Sequence, residues 1–134
     1  MNPRVLVVDD EPAIRKLLSR LLRGYDVTAL SANDALERVL SGATFHSVLC
    51  DLAMPSLTGR EWHDAVRRVS PELAERIVFV TGGGDFRSVA DLPNVSIEKP
   101  IAIDVVRFIL EAQLAKYGGE PAGRSPDPGP PQAA

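Results

Sequence analysis

Five side chains suited to handling a cation and a phosphoryl group are spread along the sequence: Asp9 and Asp10, Asp51, Thr81 and Lys99. Each follows a short apolar run: Val-Leu-Val-Val before Asp9-Asp10, Val-Leu-Cys before Asp51, Ile-Val-Phe-Val before Thr81, and Val-Ser-Ile-Glu before Lys99. Three carboxylates, a hydroxyl and an ammonium make a poor core. As parallel strand ends of one sheet they would converge at its carboxyl edge, where open α/β sheets hold their ligands.

The elements needed to position them follow from the pattern of apolar residues. Residues 4–8 read as a fully buried strand because the run is continuous rather than alternating. Pro12 then opens a helix, where its missing N–H costs nothing. Ile14, Leu17, Leu18, Leu21 and Leu22 recur at helical spacing on its expected inner face, and Gly24 stops it. Residues 26–30 form a second strand. Ser31 or Asn33 caps a helix carrying Ala35, Leu36, Val39 and Leu40, closed by Gly42. A third strand covers 46–51. The turn-rich stretch from Met54 to Gly59 follows, with Thr58 as cap of a helix through Trp62, Ala65, Val66 and Val69 that Pro71 breaks. Residues 76–81 and 95–98 are the fourth and fifth strands. A last helix after Pro100 turns Ile103, Val106, Ile109, Leu110 and Leu114 inward. Strict strand–helix alternation implies a doubly wound five-stranded parallel sheet in a single domain, for which the flavodoxin-like order 2-1-3-4-5 is one of few allowed windings. That order makes the first and third strands neighbours, so Asp9, Asp10 and Asp51 meet.

Composition narrows the function classes. A chain of 134 residues supports one ordinary domain, and its 45% hydrophobic and 25% charged residues are those of a globular protein. A net charge of −3 gives no electrostatic reason for nucleic-acid binding. No apolar stretch approaches the roughly 20 residues that span a bilayer. The short run ending at Asp9 argues against a secretory leader. The single Cys50 cannot form an internal disulfide, which fits a reducing cytoplasm, and its apolar strand makes it inert core. The domain is expected over 1–117, and the Gly/Pro-rich stretch 118–134 is expected to be disordered for want of large apolar side chains.

Four motifs in order, Asp9-Asp10-Glu11-Pro12, Asp51-Leu-Ala-Met54-Pro55 followed by Gly59, Thr81-Gly82, and Lys99-Pro100, resemble the receiver domain of bacterial response regulators over about residues 3–116. The resemblance implies a phosphoacceptor module of two-component signalling. Asp51 would take a phosphoryl group from a phosphohistidine of a sensor histidine kinase or phosphotransfer protein. Mg²⁺ would be held by Asp10 and Asp51, by Asp9 directly or through water, and by the Ala53 carbonyl. Lys99 would pair with Asp51 at rest and with a phosphoryl oxygen afterwards, while Thr81 would hydrogen-bond another. The module would assist its own phosphorylation and dephosphorylation without turning over a separate substrate, in the cytoplasm, as a monomer or weak dimer, and would pass the signal to an unknown protein target.

Taken singly, each residue has a plainer reading: Asp10 as a helix cap, Asp51 as a turn residue before Pro55, Thr81 as a strand-to-loop junction, Lys99 as a solvated lysine. Together these readings need four coincidences. Two other functions compete. An aspartate-nucleophile phosphatase needs a second acid two residues after the nucleophile, where this chain has Ala53. A pseudo-receiver that only binds a partner has no reason to keep every chemical residue. His46 and His63 lack metal-ligand spacing and read as structural or surface groups, and Trp62 as packing.

Three features depart from the receiver pattern. Ser96 stands where receivers generally carry an aromatic residue three positions before the lysine, Ile101 follows Lys99-Pro100 where Phe is common, and the stretch from Thr81 to Lys99 is short and Gly-rich. The fourth helix is therefore expected to be shortened or irregular, a turn or two over 86–91. With no aromatic rotor, the expectation is that phosphorylation orders a mobile 82–94 loop.

Overall fold

The computed structural model describes residues 2–124. Its centre is a five-stranded parallel sheet built from β1 (Arg4–Val8), β2 (Asp26–Leu30), β4 (Ser47–Asp51), β5 (Ile77–Thr81) and β6 (Ser96–Glu98). The strands lie in the order β2-β1-β4-β5-β6, which is the expected 2-1-3-4-5 winding once the extra two-residue strand β3 (Thr44–Phe45) is counted. β4 and β5 are buried along their whole length and β1 all but Arg4, as continuous apolar runs covered on both faces require.

Alternation along the strands divides the core in two. Leu6, Val8, Val48, Cys50, Ile77 and Phe79 face α2 (Ala32–Leu40), α3 (Gly59–Val69) and α4 (Pro71–Glu75), where Val39, Trp62, Val66 and Leu73 complete the layer. Val5, Val7, Leu49, Val78 and Ile97 face α1 (Pro12–Leu21) and α5 (Ile103–Tyr117), packing on Leu18, Leu22, Val106 and Leu110. The expected inner stripe of α1 is only partly inner. Leu18 and Leu22 are buried, but Leu17 and Leu21 are exposed, because the apolar arc is wider than the surface β1 and α5 offer it. On α5, Ile103, Ile109 and Leu114 are half-buried.

Local chemistry sets the helix starts. Thr58 and Glu61 form a reciprocal capping box at the head of α3. Gly59 follows directly, and a Cβ there would lie 2.7 Å from the Asp51 carbonyl oxygen, so only glycine lets α3 begin this close to the end of β4. Pro71 does more than break α3. It occupies the first turn of α4, and Ser70 caps that short helix by accepting the Leu73 N–H at 3.1 Å. Between β5 and β6 the chain makes a 3-10 helix over Gly84–Val89, the irregular fourth helix that the short sequence allows.

Residues 118–124 correct the expected disordered tail. Gly118 ends α5 in the left-handed conformation (φ 70°), and Ala122–Gly123 forms a strand, β7, antiparallel to β3. Ala122 is buried, Arg124 donates to the Leu40 carbonyl at 2.9 Å, and the Arg76 guanidinium stacks 4.3 Å from the Tyr117 ring centroid. Backbone pairing and these contacts order a stretch that lacks large apolar side chains. The remainder of the expected tail, 125–134, lies outside the described residues.

Candidate functional site

The register of the sheet brings the five side chains to one edge. Val8 pairs with Cys50 and Asp51 with Val80, so Asp9 comes level with Asp51 and Thr81 stands one residue beyond. Thr81 pairs with Glu98, and the Lys99 N–H donates to the Thr81 carbonyl at 2.8 Å, which fixes where the lysine leaves β6. Asp9, Asp51 and Thr81 are all buried there. The Lys99 ammonium lies 3.3 Å from Asp51 Oδ1 and 3.4 Å from Oδ2, an ion pair with its carboxylate buried and its lysine half in water.

The two neighbouring aspartates are held differently. Asp9 accepts the Glu11 N–H at 2.8 Å, and its carbonyl accepts from Arg15 at 2.9 Å. Burial pushes its carboxyl above the usual aspartate range, against the Glu11 hydrogen bond, and the Asp51 charge adds to the rise. Asp10 accepts the Ala32 N–H at 2.9 Å on one oxygen, and the Ser56 hydroxyl at 2.8 Å and Ser56 N–H at 3.3 Å on the other. Burial raises its carboxyl too, but those three hydrogen bonds and Arg15 outweigh it and hold the group below the usual range. Asp10 does not cap α1, contrary to its plainer reading; it accepts the N–H of Ala32, the first residue of α2, whose N-cap is Ser31. Ala53 sits exposed at the rim, its N–H 3.3 Å from Asp51 Oδ1.

On the other side, the Thr81 hydroxyl donates to Asp85 Oδ1 and accepts the Gly83 N–H at 2.9 Å. The same Asp85 oxygen accepts the Gly82 N–H at 3.1 Å. Neither Asp85 nor Ser56 stands out in the sequence. The signal that points to Asp85 is an acid placed just after three glycines, which let the chain turn back on a strand end. The segment carrying it is tied down at its far end, where Arg60 donates to the Ser88 carbonyl at 2.9 Å and to Asp91 at 2.6 Å.

The remaining candidates are structural. His46 bridges the Arg4 N–H and the Gly119 carbonyl, each at 2.9 Å, at the amino end of β1 and β4, the opposite end from the acids. His63 is buried against Phe79 and bonded to Asp64. Trp62 is buried with its N–H on the Ala32 carbonyl. Burial and the nearby aspartates push the Cys50 thiol well up, so it stays protonated. Ser96 is exposed.

As placed, no three acidic, histidine or cysteine side chains among the described residues converge as a ready-made ion cage. The donor chemistry nevertheless fits a hard cation. Asp9 and Asp51 are buried carboxylates at the same sheet edge, and the half-exposed Lys99 ammonium pairs with Asp51, so hard oxygen donors of the kind Mg²⁺ takes stand together there. Among the described residues no helix is long and apolar enough to cross a membrane.

Comparison with known proteins matches this arrangement. The family model of the response regulator receiver domain aligns with residues 5–108. The chain is 27% identical over 121 residues to the two-component response regulator ORR42 of Oryza sativa subsp. japonica, covering 86% of this chain and 89% of that protein. It is 29% identical over 121 residues to the sensor protein GacS of Pseudomonas syringae pv. syringae, covering 89% of this chain but spanning only 12% of that protein. Among solved structures it superposes, with a TM-score of 0.74 at 22% identity, on the receiver domain of a sensor histidine kinase from Pseudomonas aeruginosa PAO1, whose active-site cleft coordinates a magnesium ion; 86% of this chain and 99% of that one are covered. The family model covers most of the chain and the fold agrees with it, and the chain belongs to the response regulator receiver domain family of two-component signalling.

Proposed function

We propose that this receiver domain accepts a phosphoryl group on Asp51 from a phosphohistidine of a histidine kinase or phosphotransfer protein. The observation that carries the reading is the buried Asp51 carboxylate with the Lys99 ammonium at 3.3 Å, beside a second buried carboxylate at the same sheet edge. An Asp51 oxygen attacks phosphorus as the phosphorus–nitrogen bond breaks. Its electron pair stays on the imidazole nitrogen, and the product is an acyl phosphate. Lys99, already oriented on both Asp51 oxygens, follows the charge onto the phosphoryl group. The Thr81 hydroxyl and the N–H groups of Gly82 and of Ala53, the last already 3.3 Å from Asp51 Oδ1, are the donors at this edge for its other oxygens.

Asp9 and Asp51 would hold Mg²⁺ with the Ala53 carbonyl, and Asp10 would join once it leaves Ser56 and Ala32. The ion would neutralise the carboxylates and the transferring phosphoryl oxygens. A donor protein that reaches Asp51 must also cover the adjoining rim. There the groove between α1 and the β6–α5 connection, lined by Ile14, Leu17, Leu21, Pro100 and Ile101, offers apolar area. The product is a changed surface for a downstream protein rather than a released compound.

Incubation with acetyl phosphate and Mg²⁺, followed by intact mass, tests the reading. The wild type gains one phosphoryl group, while Asp51→Asn, or the wild type in EDTA, gains none. Equal labelling of Asp51→Asn contradicts the assignment.

A further inference from the structure

We propose that Asp85 occupies, in the unphosphorylated chain, the hydrogen-bonding positions a phosphoryl oxygen needs at Thr81 and Gly82, so that acceptance on Asp51 proceeds by exchange of one anion for another. The inference rests on the phosphoacceptor reading above and adds a positioning residue to it.

A threonine hydroxyl carries one proton, and here it goes to Asp85 Oδ1. The lone-pair side of that hydroxyl is also engaged, by the Gly83 N–H at 2.9 Å. The Gly82 N–H, the other donor at the end of β5, points at the same Asp85 oxygen at 3.1 Å. A phosphoryl group on Asp51 therefore finds both donors committed to a carboxylate. One proton cannot serve two anions, and two anions at one pair of donors repel each other. Asp85 must leave as the phosphoryl oxygen engages.

The chain around Asp85 is built for a local departure. Gly83 sits at φ +110°, a backbone conformation that L side chains rarely adopt, and with Gly82 and Gly84 it lets the chain double back so that a residue four positions on reaches Thr81. Beyond it, Arg60 grips the Ser88 carbonyl and Asp91. Release is thereby confined to 82–87. Phe86, half exposed, rides on that turn and moves with it. The direction is opposite to the expected ordering of a mobile loop: the segment is folded before the phosphoryl group arrives and gives up a contact when it does. A route to the surface follows that needs no aromatic residue at Ser96.

The test compares rates of acetyl phosphate labelling with Mg²⁺ for the wild type, Asp85→Ala, Asp85→Asn, Thr81→Ala and the Thr81→Ala/Asp85→Ala double variant. Circular dichroism checks that each is folded. Removing a charged acceptor that must be displaced raises the rate by about tenfold in Asp85→Ala. The neutral, equally sized Asp85→Asn raises it by less. The gain shrinks in the Thr81→Ala background, where only the Gly82 N–H is left for Asp85 to release, whereas an unspecific loosening of the loop would leave it undiminished. Amide exchange on the wild type gives an independent reading: beryllium fluoride with Mg²⁺ lowers protection over 82–87 and leaves 88–92 unchanged. Labelling of Asp85→Asn and any folded Asp85→Ala at the wild-type rate, or unchanged protection over 82–87, overturns the exchange while leaving phosphoacceptance intact. Folded protein that takes up no phosphate in any variant overturns both.

Discussion

The two halves of the site meet their charges in opposite ways. At the β1–β4 half, Asp9 and Asp51 are buried together, and burial, with the Asp51 charge adding to it, pushes Asp9 toward protonation. At the β5–β6 half, the donors at Thr81 and Gly82 are already satisfied by a carboxylate from the same chain. On the proposed reading the first half takes up a cation, and the second holds an anion it gives up. Lys99 spans them, leaving β6 beside Thr81 and ending on Asp51. Local stability and readiness for phosphate are thus different properties here, and substitutions can separate them.

The largest effect is expected where the halves join. Lys99→Ala removes the positive charge oriented on Asp51 and should slow labelling by acetyl phosphate on the order of a hundredfold, the size seen when one positioned donor to developing charge is lost. A rate close to the wild type would mean that the halves work without a bridge. Next comes Gly59→Ala, which forces a methyl against the Asp51 carbonyl and the Leu52 backbone. We expect a loss of about 1–3 kcal/mol in urea unfolding, as for other overpacked positions. A neutral result would show that α3 can retreat from β4 at no cost.

The two neighbouring aspartates should respond to pH in opposite directions in metal-free buffer. The folded-state pKa of Asp9 is raised, so the native state binds its proton more tightly than the unfolded chain does. Its ionised form therefore costs stability as pH rises from about 4, the ordinary aspartate value, through the raised one. Asp9→Asn should raise the melting temperature at pH 7 by a few degrees, and the gain should vanish in acid, below that window. Asp10 is depressed, so it contributes stability above the ordinary aspartate value that is lost as pH falls through its lower folded value. Asp10→Asn should lower the melting temperature at pH 7 and matter least in acid. Parallel melting curves for the two variants would erase the distinction. The smallest effect is expected from Ser56→Ala. It frees one oxygen of Asp10 and should raise Mg²⁺ affinity a few-fold by calorimetry, by the worth of one hydrogen bond; an unchanged affinity would mean that Ser56 does not compete with the ion.

What the sequence made legible follows from how strongly each signal is enforced. Val5–Val8, Val48–Cys50 and Ile77–Val80 are buried on both faces, so their runs are continuous and their ends are sharp; sharp ends put Asp9, Asp51, Thr81 and Lys99 at one edge. The partners of those residues were not legible. Asp85 reaches Thr81 through a loop whose course depends on three glycines, and Ser56 reaches Asp10 across 46 positions. Neither contact leaves a periodic trace. The β3–β7 pair has two-residue strands, too short for any pattern, and it orders a polar stretch by backbone pairing and the stacking of Arg76 on Tyr117. Leu17 and Leu21 obey the helical period of α1 yet stay in water, because periodicity marks an apolar arc and not how much of it a neighbour covers.

Asp51 is the proposed phosphoryl acceptor. Its most direct test is to transfer phosphate from a phosphohistidine-bearing donor domain with Mg²⁺, then locate the modification by peptide mass spectrometry after borohydride trapping of the acyl phosphate. One trapped site is expected, on the peptide that ends β4, at Asp51. Trapping at Asp9, Asp10 or Asp85 instead, or a label that survives as phosphohistidine on His46 or His63, would contradict it.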